Sequence, residues 1–402
     1  MQKKRIFITT HTLRLGGVER SLIGLLNTID YNRFEVDLFL FLHDGEMMPY
    51  IPKDVNLLPE NKTYAGLISS VKDNLKWGNL NLLFAKQKAK SQAKKFIKEN
   101  NIQAQNLVYD NYLQKYSLKH LPTITNQTYD LAISFLTPHY VTAHKVNARK
   151  KIAWIHTDYS FFEFDKKAEL EMWSAHDYIA SISDNCTEGF LKQFPELAPK
   201  IVLIENVLDT EFLKAQADEF SVEAEMPTKT DEFKLLSVGR FTHAKNFDNV
   251  AEICKHLLDE GFQVKWYLLG YGGEETKIRA SIQEHGMEEH VIILGKKDNP
   301  YPYMKACDVY LQPSRFEGKA VTVREAQALG KPVIITNFAT SNSQLENGID
   351  GVIVPMENQA CAKGIKNLLE NEQLREELSR NCGEKDYSNQ SEINKLYVLI
   401  ES

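Results

Sequence analysis

Between Asp308 and Ile335 the chain reads Asp308-Val-Tyr-Leu-Gln-Pro-Ser314, Arg315-Phe-Glu-Gly-Lys-Ala-Val-Thr-Val-Arg-Glu325, Ala326-Gln-Ala-Leu-Gly330 and Lys331-Pro-Val-Ile-Ile335. Apolar alternation stopped by Pro313-Ser314 predicts a strand. Helical spacing from Val321 to Leu329, with Gly330 just past its end, predicts a helix, and Pro332-Val-Ile-Ile335 opens a second strand. A strand, loop, helix and strand in this order form a right-handed crossover in a parallel sheet, and ligands of such sheets lie outside the carboxyl ends of the strands. That places Glu317 in the loop and Glu325 one turn into the helix, both near one point. The N–H groups that open a helix favour an anion, and a carboxylate accepts two hydrogen bonds from a vicinal diol. The stretch therefore suits a phosphate and a sugar together.

The same alternation recurs along the chain. Arg5-Ile-Phe-Ile-Thr9, Phe34 to Phe41, Tyr129 to Phe135, Lys151-Ile-Ala-Trp-Ile155, Tyr178 to Ser183 and Ile201 to Asn206 are strand candidates in the first half. Phe233 to Gly239, Val264 to Gly270 and Val291 to Gly295 follow in the second. With 402 residues the chain exceeds what one core usually organises. The expected class is α/β with two Rossmann-like doubly wound domains. Their expected bounds are 1–209 and 233–385, with an acidic linker or hinge over 210–232 and a C-terminal helix over 386–402.

Three further features fall at strand ends. Gly16-Gly17 stands where the first strand enters a helix, which allows close backbone approach to a phosphate or simply makes a tight turn. His156 directly follows a buried strand, where it either faces a ligand or is hydrogen-bonded into a loop. Arg240 follows the strand that ends at Gly239, and Lys245 comes five residues on, so two cations form a phosphate clamp. Gly270-Tyr-Gly-Gly273 carries only the first half of a dinucleotide fingerprint, which speaks against a dehydrogenase.

Glu317-Gly318 through Glu325-Ala326 resembles the donor-site signature of the retaining glycosyltransferases of the GT-B fold, family 4. The resemblance covers essentially the whole chain, dense in the second half and thin between Phe41 and Asp130. It implies two domains facing across a cleft, with the acceptor on the first and a nucleotide sugar, UDP-linked, on the second. It further implies that Glu325 holds the ribose, Glu317 the donor sugar, Arg240 and Lys245 the departing diphosphate, and that His156 faces the acceptor and the donor sugar. Gly16, Gly17, Lys319, Ala320 and Val321 would supply backbone donors, and Gly295 with Lys296 would meet the nucleobase. Neither metal nor cofactor is expected, since Arg240 and Lys245 take the place of a cation. The loop Ala339-Thr-Ser-Asn-Ser-Gln344 departs from the family's Gly-Gly-x-x-Glu. The implied activity is transfer of a hexose to a glycan or lipid-linked saccharide in cell-surface polysaccharide synthesis. A sugar-nucleotide epimerase and a catalytically silent partner of another transferase are the alternatives in the same fold.

Composition sets the remaining bounds. A net charge of −6 disfavours nucleic acid as a partner. Five scattered cysteines with no C-x-x-C pair point to a reducing compartment, and no apolar run approaches the roughly 18 residues of a spanning helix. The expected location is cytoplasmic, peripheral on the inner face of the cell membrane. Between Lys76 and Glu99 the chain is basic, with an interrupted apolar side at Leu80, Leu83, Phe84, Phe96 and Ile97. Lys86, Lys88, Lys90, Lys94, Lys95 and Lys98 form either a solvated helix face or a surface for anionic lipid.

Overall fold

The computed structural model describes residues 3–14, 16–103, 106–157 and 159–402. Leu15, in the glycine loop, and Asp158, after His156, lie outside them. The chain forms two compact units, one of Met1–Val207 with Gln390–Ser402 and one of Leu208–Asn389.

The first unit carries a seven-stranded sheet of β1 (Lys4–Thr10), β2 (Phe34–Leu40), β3 (Val55–Leu57), β4 (Thr128–Ser134), β5 (Asn147–Ile155), β6 (Tyr178–Ser181) and β7 (Ile201–Leu203), in the order β3-β2-β1-β4-β5-β6-β7. The second carries β8 (Phe233–Val238), β9 (Val264–Leu269), β10 (Val291–Gly295), β11 (Val309–Gln312), β12 (Val333–Thr336) and β13 (Val352–Val354), in the order β10-β9-β8-β11-β12-β13. Every pairing is parallel. The strands are covered on both faces, which is why they read as continuous apolar runs. In the second unit Leu235, Trp266, Leu268, Val309 and Leu311 pack on one face, and Leu236, Val238, Tyr267, Leu269 and Tyr310 on the other. Each such side chain contributes about 1.5–3 kcal/mol when fully buried. Both sheets reverse their winding once, between β1 and β4 and between β8 and β11, and those reversals open the crevices in which ligands of doubly wound sheets bind.

Two stretches differ from expectation. The acidic stretch read as a hinge is packed onto the second unit. Asp209 caps the Thr210–Ala217 helix by accepting the Phe212 N–H at 2.9 Å, and Leu213, Ala217, Val222 and Met226 are buried in that unit's core. The charges mark only the outer face; four apolar residues interleaved with them decide the packing. The basic stretch divides at Gly78 (φ +74) into the Val71–Lys76 and Leu80–Glu99 helices. The second of these buries Leu82, Ala85, Ala89 and Ala93, whereas Leu80 and Phe84 point to solvent. A stripe of alanines lets it lie close against the Val108–Ser117 helix, so the small residues, not the large ones, mark its inner side.

The last helix, Ile393–Glu401, belongs to the first unit. Tyr397 stacks on Phe34 with ring centroids 4.6 Å apart and accepts the Asp30 N–H on its hydroxyl at 2.8 Å, while Leu396 and Ile400 join the core beneath β1 and β2.

Candidate active site

In the second unit the expected groups collect at the carboxyl edge, around the reversal between β8 and β11. β8 runs into Gly239, whose N–H donates to Leu269 at 2.9 Å. The exposed guanidinium of Arg240 has no hydrogen-bond or ion-pair partner among the described residues. Gly270 and Gly272 explain the partial dinucleotide motif. A Cβ on Gly270 (φ +151) would fall 1.8 Å from the Gly239 carbonyl oxygen, and one on Gly272 (φ +156) 2.4 Å from that of Phe241. Both glycines let the β9 loop close on the segment that presents Arg240.

Lys245 and Glu317, 72 residues apart, form a short ion pair, Nζ to Oε1, with 18% and 13% of their side chains exposed. Ser314 Oγ donates to the same oxygen at 2.7 Å and Gln312 Nε2 at 3.4 Å. Glu317 Oε2 has no partner among the described residues, and an ammonium holding one acceptor keeps two donors. The pair is therefore half-committed: one carboxylate oxygen and two N–H bonds remain for a ligand.

Residues that the sequence reading passed over hold this pair in place. Arg315 binds Asp248 with two parallel bonds of 2.8 and 2.9 Å and also donates to the His243 carbonyl at 2.8 Å. Its N–H reaches the Ala244 carbonyl at 2.7 Å, so the loop bearing Glu317 is tied to the loop bearing Lys245. Burial pushes the Asp248 carboxyl up, but hydrogen bonds and charge from Arg315 and Lys277 outweigh it and hold it at about 2. The signal was there to be found, since Arg315 begins the motif and Asp248 lies three residues past Lys245.

One expectation needs correction in the geometry, and a second residue is already engaged by a neighbour. The Ala320 N–H, expected to face the donor, is taken by Gln344 Oε1 at 2.6 Å, while Gln344 Nε2 donates back to the Ala320 carbonyl at 3.2 Å. An amide offers both an acceptor and a donor, so Gln344 clamps both backbone groups of one residue. The N–H groups of Val321 and Thr322, next in line, have no acceptor among the described residues. Glu325, expected to reach a ribose, is 0% exposed and accepts the Tyr301 hydroxyl at 2.9 Å. Lys319 sits half-buried on the intervening loop. Gly295 (φ +73) ends β10 and accepts the Gly270 N–H at 2.9 Å; Lys296 lies 5.3 Å over the Tyr271 ring.

In the first unit, Gly16, Gly17 and His156 stand at the carboxyl edge of the sheet. Gly16 caps the Gly17–Thr28 helix, and a Cβ there would come 2.3 Å from the Glu19 carboxylate, which is folded back over it. His156 packs on Phe135 (4.5 Å) and stacks on Trp154 (5.9 Å, 9°), with Nε2 enclosed and without a hydrogen-bond partner among the described residues. Burial lowers its pKa to about 3, so the imidazole is neutral. His11 after β1, lowered to about 4 by burial, His139, bonded through Nδ1 to Ser134 at 2.8 Å, and His176, also lowered to about 4 by burial and 5.8 Å from the His139 ring, belong to a group of neutral imidazoles that no sequence motif announced.

The basic helix gives a mixed picture. Lys86 is half-buried and donates to the Ser69 carbonyl at 2.7 Å, and burial lowers its pKa, so it caps the end of the Lys62–Ile68 helix and leaves the lipid-facing set. Lys88 lies 4.6 Å over the Tyr116 ring and Lys95 pairs with Glu99 at 3.8 Å. Lys90, Lys94 and Lys98 are exposed, as are Val71, Leu75, Leu80 and Phe84. Among the described residues no helix is long and apolar enough to cross a membrane.

Residues 219–385 match the family model described as Glycosyl transferases group 1. That span contains Arg240, Lys245, Glu317 and Glu325. The chain is 29% identical over 201 residues to the Campylobacter jejuni N-acetylgalactosamine-N,N'-diacetylbacillosaminyl-diphospho-undecaprenol 4-alpha-N-acetylgalactosaminyltransferase, covering 50% of this chain and 52% of that protein. It is 23% identical over 218 residues to the Escherichia coli UDP-Gal:alpha-D-GlcNAc-diphosphoundecaprenol alpha-1,3-galactosyltransferase, covering 50% and 56%. The chain thus spans about half the length of these curated relatives. A crystal structure of an S. aureus TarM variant in complex with fondaparinux, alpha-GlcNAc-glycerol and UDP superposes with a TM-score of 0.69 at 15% identity, over 99% of this chain and 100% of that one. At that identity the likeness shows the fold, two Rossmann-like units of the GT-B class.

Proposed function

We propose that the protein is a retaining glycosyltransferase of family 4 that moves a hexose from a UDP-sugar to a saccharide carried on a lipid diphosphate, in cell-surface polysaccharide synthesis. The observation that carries this reading is the half-committed Lys245–Glu317 pair with Arg240, which has no partner among the described residues, inside the segment that matches the glycosyltransferase model. The names of the relatives supply the lipid diphosphate and, in one case, the UDP-sugar.

In this reading Arg240 and the two remaining donors of Lys245 hold the diphosphate, with the Val321 and Thr322 N–H groups alongside, where negative charge develops as the leaving group departs. Glu317 Oε2 accepts from a sugar hydroxyl. The bond from the anomeric carbon to the diphosphate breaks, the bond to the acceptor oxygen forms on the same face, and a phosphate oxygen takes the acceptor's proton. Glu325 reads the ribose once the Tyr301 hydroxyl yields. His156 contributes as a neutral hydrogen-bonding group, and Gly295 and Lys296 border the base. The exposed lysines and apolar residues between Val71 and Lys98 hold the protein peripherally on an anionic cytoplasmic membrane face.

A panel of UDP-, dTDP- and GDP-hexoses, assayed for binding and slow hydrolysis, tests the assignment. Wild-type protein binds and hydrolyses a UDP-hexose, and Arg240→Ala abolishes both. Indifference to every nucleotide sugar refutes a transferase.

A further inference from the structure

Away from the sheet edges, the first unit has a cavity of about 490 Å³ between the Leu80–Glu99 helix, the end of the Val108–Ser117 helix and the Tyr140–Lys145 helix. That volume lies within the range of small-molecule sites. Lys88, Lys115, Lys119 and Lys145 line it. The carboxylate paired into this group is that of Glu171, 2.5 Å from Lys115. Lys119 and Lys145 have no hydrogen-bond or ion-pair partner among the described residues, in a chain whose net charge is −6. His120 and His144 border the same space. Burial first, and then the neighbouring lysines, Lys119 for His120 and Lys151 with Lys145 for His144, lower their pKa values, although Glu171 raises that of His144.

Charge is only half of its chemistry. Tyr116 and Leu118 form apolar wall, Tyr116 carries Lys88 over its ring at 4.6 Å, and Phe84 stands at the rim with 71% of its surface exposed. A cavity for free phosphate has no use for an exposed aromatic beside its cations, and a purely apolar ligand has none for unpaired ammonium groups, whose burial without an anion is costly. Phe84 and Lys88 are one helical turn apart on one face, so a ligand that meets both is ionic at one end and apolar at the other.

We infer that this cavity binds a phosphorylated headgroup bearing an apolar chain, with Lys88, Lys119 and Lys145 on the phosphate oxygens and Phe84 and Leu118 against the first carbons of the chain. Two sources share that chemistry: a lipid diphosphate carrying the acceptor saccharide, and an anionic phospholipid of the membrane. The inference rests on the proposed function only for choosing between them.

Calorimetry separates the possibilities, with farnesyl diphosphate, inorganic diphosphate and farnesol as probes, each added in excess UDP so that the second unit is occupied. Wild-type protein binds farnesyl diphosphate at least tenfold more tightly than inorganic diphosphate, and does not bind farnesol. The Lys119→Glu/Lys145→Glu variant loses tenfold or more for both anions, whereas Phe84→Ser loses affinity for farnesyl diphosphate alone. UDP binding, measured first in the same samples, is unchanged in both variants; its absence from wild type would count against the transferase reading and leave the cavity's ligand standing. Nanodiscs of phosphatidylglycerol, against phosphatidylcholine, form the last arm. Lysine-dependent binding to them without binding of farnesyl diphosphate assigns the cavity to bulk phospholipid. If charge reversal changes the binding of neither farnesyl diphosphate nor phosphatidylglycerol, the inference is wrong.

Discussion

Replacing Glu317 by Gln should tighten the binding of UDP while slowing transfer. On the proposed assignment the carboxylate, which pairs with Lys245, would share it with the incoming phosphate and repel that phosphate. Two like charges about 6 Å apart interact by roughly 3 kcal/mol at an effective dielectric of about 20. Partial exposure of the pair and physiological salt reduce this to about 1–2 kcal/mol, or roughly five- to thirtyfold in affinity. The amide keeps the shape and one acceptor for Ser314, so the fold should lose only about 1 kcal/mol. Turnover, in contrast, should fall by on the order of a hundredfold, because the sugar loses a positioning hydrogen bond at the reacting centre. Lys245→Met should act in the opposite sense on UDP, weakening it by a similar factor. Titration calorimetry with UDP on the two variants, with melting curves to confirm folding, decides the matter. A fall in UDP affinity of Glu317→Gln comparable to that of Lys245→Met would mean that the ion pair is a structural tie and not a shared phosphate site.

Glu325→Gln keeps the Tyr301 hydrogen bond but removes the charge proposed to read the ribose, so on that assignment UDP affinity should drop roughly ten- to a hundredfold in the same titration, with uridine affected equally. Transfer should survive excess EDTA, and loss of turnover restored by Mg²⁺ would contradict the clamp of Arg240 and Lys245. Asp248 has its pKa held below the unfolded value of 3.8, at about 2, so its stabilisation is present above pH 4 and is lost as the pH falls towards 2. The amount is about 2 kcal/mol, and acid denaturation of Asp248→Asn should lack that component. Co-sedimentation with anionic vesicles should weaken with salt and in a Lys90→Glu/Lys94→Glu/Lys98→Glu variant, while Lys86→Gln should instead lower the melting temperature.

The architecture was legible because parallel strands covered on both faces leave uninterrupted apolar runs, as at Ile6-Phe7-Ile8 and Leu235-Leu236, and because glycine marks where they end. Glu317 and Glu325 were legible as candidates because the loop after β11 and the helix that follows it carry them. Their partners were not. Nothing local says that Lys245 will meet Glu317 across 72 residues, or that Gln344 will fold back onto Ala320. Such pairings are set by sheet order, which a linear pattern does not encode. The acidic stretch misled because charge is conspicuous while Leu213, Val222 and Met226, which fix its position, are sparse. In the basic helix the large residues drew attention, yet Ala85, Ala89 and Ala93 face inward, since close packing of two helices selects small side chains. The neutral histidines His11 and His139 come from separate strand ends and meet only in three dimensions.

The return of the Ile393–Glu401 helix to the first unit makes the whole of Leu208–Asn389 an insertion within it. During synthesis the first sheet therefore emerges early but waits, with Phe34 and its neighbours uncovered, while 182 residues of the second unit pass through the ribosome. The inner unit can finish folding before the outer one does. A premature stop just before Ile393 would spare every residue of the second unit yet leave an aggregation-prone first unit, so loss of a helix late in the chain is felt at its earliest strands.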